Sequence, residues 1–174
     1  QILFYDLETT DFLFKLNLNS EGPHGVVQPT GLYVKDLNHI YVSSYVYSGL
    51  MRVDTTCHII QKIPYGITSK GYNVLPSYTP SSHPYIAPVI IDKKIYITQN
   101  AIDRFHPIVD TPLSVVIDTV QKSCEDLPLT YGILTEKELA IKDPRFSRVF
   151  NGKEFIYSFY VSEDIVVTSV DHSE

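Results

Sequence analysis

Two short patterns recur along the chain, and their period limits the folds open to it. The first is an apolar run ending in Asp and followed within a few residues by Thr or Ser. It occurs at Tyr5-Asp6-Leu7-Glu8-Thr9, Val53-Asp54-Thr55-Thr56, Ile117-Asp118-Thr119 and Val170-Asp171-His172-Ser173. The second is an apolar strand, a tight polar turn and an Ile-Tyr strand. It runs from Leu32-Tyr33-Val34 through Asp36-Leu37-Asn38-His39 to Ile40-Tyr41-Val42, and from Val89-Ile90-Ile91 through Asp92-Lys93-Lys94 to Ile95-Tyr96-Ile97. Its third copy runs from Arg148-Val149-Phe150 through Asn151-Gly152-Lys153-Glu154 to Ile156-Tyr157-Ser158. Asn151-Gly152 is the strongest hairpin signal and predicts a type I′ turn, with φ above zero at both residues. Repeats of roughly 50 to 60 residues mean propeller blades or solenoid units. Units of about four short strands favour blades.

With strands named A to D from the axis outward, the second unit reads A 31–35, B 39–44, C 49–53 and D 57–63. The third reads 86–91, 94–99, 113–118 and 122–127. The fourth supplies A, B and C at 146–150, 154–161 and 164–170, and the first only C and D at 2–6 and 12–18. The expected fold is all-β: a β-propeller of four-stranded antiparallel blades in one partial domain over 1–174. Its blade pieces lie at about 1–18, 31–63, 86–128 and 146–174. A closed propeller needs at least about four blades, so a longer parent is expected to supply the rest. The chain opens in a strand-like run, Ile2-Leu3-Phe4-Tyr5, with no initiator Met, which suggests a leader removed or not recorded. A β-sandwich is the competing fold; it explains the hairpins but not the repeat. One short helix is predicted after Thr135, where Thr135-Glu136-Lys137-Glu138 forms a capping box and Pro144 stops the helix.

Composition agrees with short strands and excludes some functions. Tyrosine is abundant, at 13 residues, and favours pleated, half-buried surfaces. The net charge of -6 argues against nucleic acid, because the 14 basic residues are scattered and form no stripe for phosphates. No apolar run is long enough to span a bilayer as a helix. Cys57 and Cys124 have no partner at metal-ligand spacing. They are expected as buried free thiols, with one disulfide as the alternative.

Connection lengths point to one functional face. A-to-B and C-to-D links are short. The length lies in D-to-A and B-to-C links, at 19–30, 64–85, 99–112 and 129–145. In antiparallel blades these emerge at one end, and long loops on a rigid scaffold are where binding usually resides. That face is expected to carry Tyr65, Tyr72, Tyr78, His83, Tyr85, Arg104, Phe105, His106, Tyr131 and Arg145, with His24 in the turn Glu21-Gly22-Pro23-His24-Gly25. Tyr, Phe and Arg anchor protein interfaces and stack on sugars. The plainer reading is that each aromatic packs its own loop, and that Glu21 and His24 only satisfy their turn.

No motif carries catalysis. The six histidines lack ligand spacing, so no metal is expected, and no cofactor motif appears. A propeller glycosidase needs paired carboxylates. The predicted A strands contain neither Asp nor Glu, and Asp36 and Asp92 fall at the opposite end from the long loops. The repeated Asp residues read as turn formers that bond their own backbone.

Tyr5-Asp6-Leu7-Glu8-Thr9, Leu16-Asn17-Leu18, Glu21-Gly22-Pro23-His24-Gly25 and the run from Gly31 to Val42 resemble a family of uncharacterised lipoproteins of Bacteroidota, described as six-bladed, TolB-like propellers. The resemblance is best over 1–65, and His24 stands where that family has Asn. It implies a chain covering about half of a six-bladed ring, a lipid anchor and an outer-membrane or cell-surface address. It also implies partners among other lipoproteins or TonB-dependent uptake machinery. It transfers no catalytic residue. The expected function is a non-enzymatic binding or scaffold module docking a protein partner or a glycan. The alternative is a propeller hydrolase or lyase acting on oligosaccharides.

Overall fold

The computed structural model describes residues 1–23, 25–44, 46–47, 49–65, 67–71, 86–99, 108–140 and 145–172. Among these, four antiparallel sheets follow one another along the chain. The first holds β1 (Ile2–Tyr5) and β2 (Phe12–Leu16). The second holds β3 (Pro29–Asp36), β4 (His39–Ser44), β5 (Gly49–Val53) and β6 (Ile59–Pro64). The third holds β7 (Val89–Ile91), β8 (Lys94–Thr98), β9 (Ser114–Asp118) and β10 (Ser123–Asp126). The fourth holds β11 (Phe146–Phe150), β12 (Phe155–Phe159) and β13 (Ile165–Thr168). Each is a meander in which sequence neighbours pair. The one α-helix described, α1 (Glu136–Ala140), begins at the expected capping box. The Thr135 amide donates to Glu138 Oε2 at 2.7 Å and the Glu138 amide to Thr135 Oγ1 at 3.3 Å.

The sheets hold together through their faces. Successive side chains of a strand point to opposite faces, so a central strand that is apolar at every position must be covered on both. In β4, Ile40 and Val42 join Ile2, Leu16, Met51 and Val53 against the first sheet, while Tyr41 joins Leu50, Ile63, Ile95, Ile97, Val115 and Ile117 against the third. In β8 the same division recurs. Ile95 and Ile97 face the second sheet, and Tyr96 joins Leu113, Leu127, Tyr131, Phe155, Tyr157 and Phe159 against the fourth. Three apolar cores thus lie between consecutive sheets. Cys57 and Cys124 are free, buried and in different cores, and burial pushes the Cys124 thiol up to about 12.

Three of the four repeated Asp residues are the turn formers the sequence predicts. Asp6 Oδ1 accepts from the amides of Glu8 and Thr9 at 2.9 and 2.8 Å, and Asp118 Oδ1 from those of Val120 and Gln121 at 2.8 Å. Asp54 Oδ1 accepts from the amides of Thr56 and His58 at 2.8 and 2.9 Å. These bonds, and for Asp54 first the Thr56 hydroxyl that donates to Oδ1 at 2.7 Å, hold all three carboxyls below their ordinary range. Each turn closes on a left-handed residue, Thr10, Cys57 or Lys122, with φ of 62°, 66° and 57°.

The fourth unit departs from the predicted alignment in two places. Its left-handed residue is His172, φ 58°, whose amide donates to Ser169 O at 3.0 Å as Cys57 donates to Asp54 O. Ser169, not Asp171, therefore matches Asp54. The pairing Phe155↔Thr168 matches Ile40↔Val53 and Ile95↔Ile117, so Phe155-Ile156, not Ile156-Tyr157, is the counterpart of Ile95-Tyr96. A one-residue slip moves every side chain to the other face, and Tyr157 accordingly lies in the core where Val42 and Ile97 lie in their sheets. The Asn151-Gly152 turn is also not type I′. Only Gly152 has positive φ, at 97°, and Asn151 Oδ1 instead accepts from the amides of Lys153 and Glu154 at 2.8 Å.

The inter-sheet cores predict where substitutions cost. Ile117→Ala, at a fully buried position, is expected to lower stability by about 2–5 kcal/mol in urea unfolding followed by circular dichroism. Leu7→Ala, at a turn residue 96% exposed, is expected to stay within about 0.5 kcal/mol of the parent.

Candidate functional site

The two ends of every sheet differ. At one end the strands are joined by tight turns at 6–11, 37–38, 54–58, 92–93, 119–122 and 151–154. At the other, the strand ends are separated in sequence by the longer stretches 17–28, 45–48, 65–88, 99–113, 127–145 and 160–164. Where the third and fourth sheets meet, their long-connection ends lie together. Tyr131, from the link after β10, packs edge-on against Phe146 and Phe159 at 6.1 and 6.4 Å.

Of the residues predicted for this end, Arg145 is exposed and stands just ahead of β11. Its guanidinium lies 4.7 Å over the ring of Tyr160, and its carbonyl accepts from the Tyr160 amide at 3.1 Å. Tyr160 is 74% exposed and is the aromatic that sequence reasoning missed. The sequence pattern puts it inside strand 154–161, whereas β12 ends at Phe159. Val46 and Ile67, 65% and 66% exposed, lie in connections of the same kind and were also missed. A single apolar residue in a loop leaves no periodic signal to read.

Two predicted face residues belong to the core instead. Tyr65 is buried among Leu50, Ile63 and Ile95, and Tyr131 is wholly buried, with its phenol pushed up by that burial. The plainer reading, that loop aromatics pack their own surroundings, holds for these two. A 3-10 turn at Tyr131–Ile133 carries Tyr131 inward, with Thr130 Oγ1 accepting from the Gly132 amide at 3.2 Å. His24, Tyr72, Tyr78, His83, Tyr85, Arg104, Phe105 and His106 lie outside the described residues.

A cation over an exposed tyrosine is a contact chemistry, not a reaction chemistry. It offers a flat ring, a hydroxyl and a guanidinium, the groups that anchor protein interfaces and that stack on sugars. At the tight-turn end the polar groups serve the turns themselves. Asp36, which β3 includes at its last position, accepts from the Asn38 amide at 2.8 Å and pairs with His39 Nδ1 at 2.9 Å, which holds its carboxyl low. Among the described residues no three His, Cys, Asp or Glu side chains are grouped to hold a metal ion.

A family model described as "Domain of unknown function (DUF4221)" matches residues 1–174. Among solved structures, the chain is similar to the crystal structure of a member of the DUF4221 family from Bacteroides vulgatus ATCC 8482. The TM-score is 0.69 at 16% sequence identity, over 96% of this chain and 50% of that one. The chain thus spans about half the length of that relative. A comparison with curated proteins found no match.

The packing separates the two tyrosines at this end. Tyr131→Ala is expected to destabilise the protein by about 3–5 kcal/mol. Tyr160→Ala is expected to change stability by less than about 0.5 kcal/mol, both read by urea denaturation.

Proposed function

The chain belongs to the DUF4221 family, a family of unknown function, and from that premise we propose that it is a non-enzymatic binding or scaffold module that docks a partner through its long-connection end. The difference between the two ends supports this reading most directly. Polar groups at the tight-turn end are consumed by their own turns, as at Asp6, Asp54 and Asp118. The other end gathers the long connections and holds the Arg145–Tyr160 pair in solvent. Function concentrates on such loops when a rigid sheet framework carries them.

The module is, in this proposal, about half of a closed six-bladed propeller. The stacking of sheets in chain order supports that reading. So do the half-exposed apolar faces of the outer sheets, Leu3, Tyr5 and Leu13 on the first and Val149, Ile165 and Val167 on the last. A solved relative twice as long has room for the remaining blades. From the lipoprotein resemblance we propose an outer-membrane or cell-surface location through a lipid anchor. The partner is then another envelope protein, such as a lipoprotein or a TonB-dependent transporter, or a glycan presented there.

The test is affinity purification of the full-length tagged protein from native membranes, read by mass spectrometry, beside the double variant Arg145→Glu, Tyr160→Ala. The expected result is an envelope protein in stoichiometric amount with the parent and at least about tenfold less with the variant, as loss of an aromatic and Arg anchor implies. A partner held equally well by both proteins rejects the long-connection end as the docking face. Absence of any partner rejects protein docking, and a glycan array then tests the remaining branch.

A further inference from the structure

The core between the third and fourth sheets is not purely apolar. The register of β12 puts the Tyr157 hydroxyl inside it, at the place of Val42 and Ile97. Two more exchanges surround it. Ser114, paired with Thr98, stands where Leu50 pairs with Ser43, and Arg148, paired with Tyr157, stands where Leu32 pairs with Val42. His172 follows β13 and is 4% exposed. A buried polar group without partners is costly, and these four partner one another. Arg148 Nη1 donates to Ser114 Oγ at 2.8 Å, Ser114 Oγ lies 2.7 Å from the Tyr157 hydroxyl, and that hydroxyl is hydrogen-bonded to His172 Nε2. His172 Nδ1 lies 3.3 Å from Val170 O.

The chemistry of the groups sets the direction of this chain. A carbonyl only accepts, so Nδ1 of His172 carries the proton and Nε2 is the bare acceptor. Tyr157 then donates to His172, Ser114 donates to Tyr157, and Arg148 donates to Ser114. The chain runs one way from a permanent cation to a neutral imidazole. A proton on Nε2 would face the Tyr157 O–H donor to donor and force the hydroxyls to reverse. It would also add a second positive charge to a core that already holds Arg148, 2% exposed.

We propose that Arg148, Ser114, Tyr157 and His172 form an acid-sensitive lock that fastens the fourth sheet to the third and releases it when His172 is protonated. The charged and titratable groups around His172 agree. β11 contributes the Arg148 guanidinium, bonded through Nη2 to the carbonyls of Ala87 and Tyr96 at 3.2 and 3.0 Å. β12 contributes the Tyr157 phenol, and β8 the Tyr96 phenol, which feels Asp171. His172's own turn contributes Asp171, which accepts from Ser169 Oγ at 2.5 Å. Among the described residues Asp171 is the carboxylate that acts on His172, and it does not offset the rest. Burial first, and the Arg148 charge with it, outweigh Asp171 and the Val170 carbonyl and lower His172 to about 4.

The sign follows from linkage. The unfolded or undocked imidazole binds a proton near pH 6.5 and the locked one near 4. Stability is therefore complete above about pH 6.5 and is lost as pH falls from there toward 4. The inference does not depend on what the long-connection end binds.

Two measurements on the intact protein decide it. The first is the NMR titration of the His172 ring, expected at about 4. The second is amide hydrogen exchange, corrected for intrinsic rates, in β11–β13 and in β4–β6. Opening of β11–β13 is expected to rise roughly thirtyfold between about pH 7.5 and pH 5, with β4–β6 unchanged. His172→Gln, which keeps an acceptor for Tyr157 but cannot be protonated, is expected to abolish that difference. If this variant does not fold, the two wild-type measurements stand alone. A His172 titration at the ordinary histidine value overturns the proposal, as does acid opening spread equally over both regions.

Discussion

The two inner sheets of this chain depend on burial of two faces at once. β4 and β8 each carry three consecutive apolar residues, Ile40-Tyr41-Val42 and Ile95-Tyr96-Ile97, all buried, so neither could sit at the surface of a two-layer sandwich. A two-layer sandwich gives each strand one wet face and an alternating pattern. Strands dry on both faces demand a stack, and a stack of sheets has outer members whose outer faces lack a neighbour. That is why Leu3 and Tyr5 at one end and Ile165 and Val167 at the other are half or more exposed, while Leu50, Ile97 and Ile117 between them are fully covered. The same constraint makes the contact between faces, more than any single sheet's hydrogen bonding, the source of stability.

Uniform apolar contacts bring sheets together without distinguishing conditions, because apolar burial has no titratable group. The contact between the third and fourth sheets is different in kind. Arg148 takes several bonds from one sheet to the other, and its guanidinium also lies 4.9 Å over the Phe155 ring. Among the described residues its Nε has no hydrogen-bond partner. A buried cation held by neutral acceptors is costly to keep and more costly to disturb. The second and third sheets meet through Leu50, Ile63, Ile97 and Val115, with Arg52 paired to Tyr41 on the same face and only part-buried. In the proposed lock, the contact that holds His172 is the one expected to open in acid.

The legible part of the sequence was what local chemistry dictates. Strands at 39–44, 49–53 and 146–150 were read with the bounds they have, because alternation stops at Asp, Asn and Gly turns. The capping box at Thr135 and the side-chain turns at Asp6, Asp54 and Asp118 are local bonds within a few residues, so they too were readable. What failed was register. Ile156-Tyr157 looks like Ile95-Tyr96, and only pairing with Thr168 across the sheet shows that Phe155 takes the inward place. Surface and core were confused for the same reason. Tyr65 and Tyr131 fall in loops by sequence, but tertiary contacts pull both inside, while Tyr160, one residue past a strand, points to solvent.

The division of labour between the two ends follows from these constraints. A tight turn that spends its carboxylate on its own amides has nothing left to offer a ligand, and its length is set by the pairing of the strands it joins. The opposite end is free of both demands. Its connections vary in sequence length from 45–48 to 65–88 while the sheets keep the same meander order. Exposed loop positions there, unlike Tyr65 and Tyr131, can change at little cost to folding. An exposed pair such as Arg145 on Tyr160 needs no role in packing to be kept in place, since the backbone bond between the two residues already fixes the end of β12 against the start of β11. The architecture thus draws its stability from the packed faces, with Tyr65 and Tyr131 pulled into them from the connections, and leaves Arg145 and Tyr160 exposed at the long-connection end.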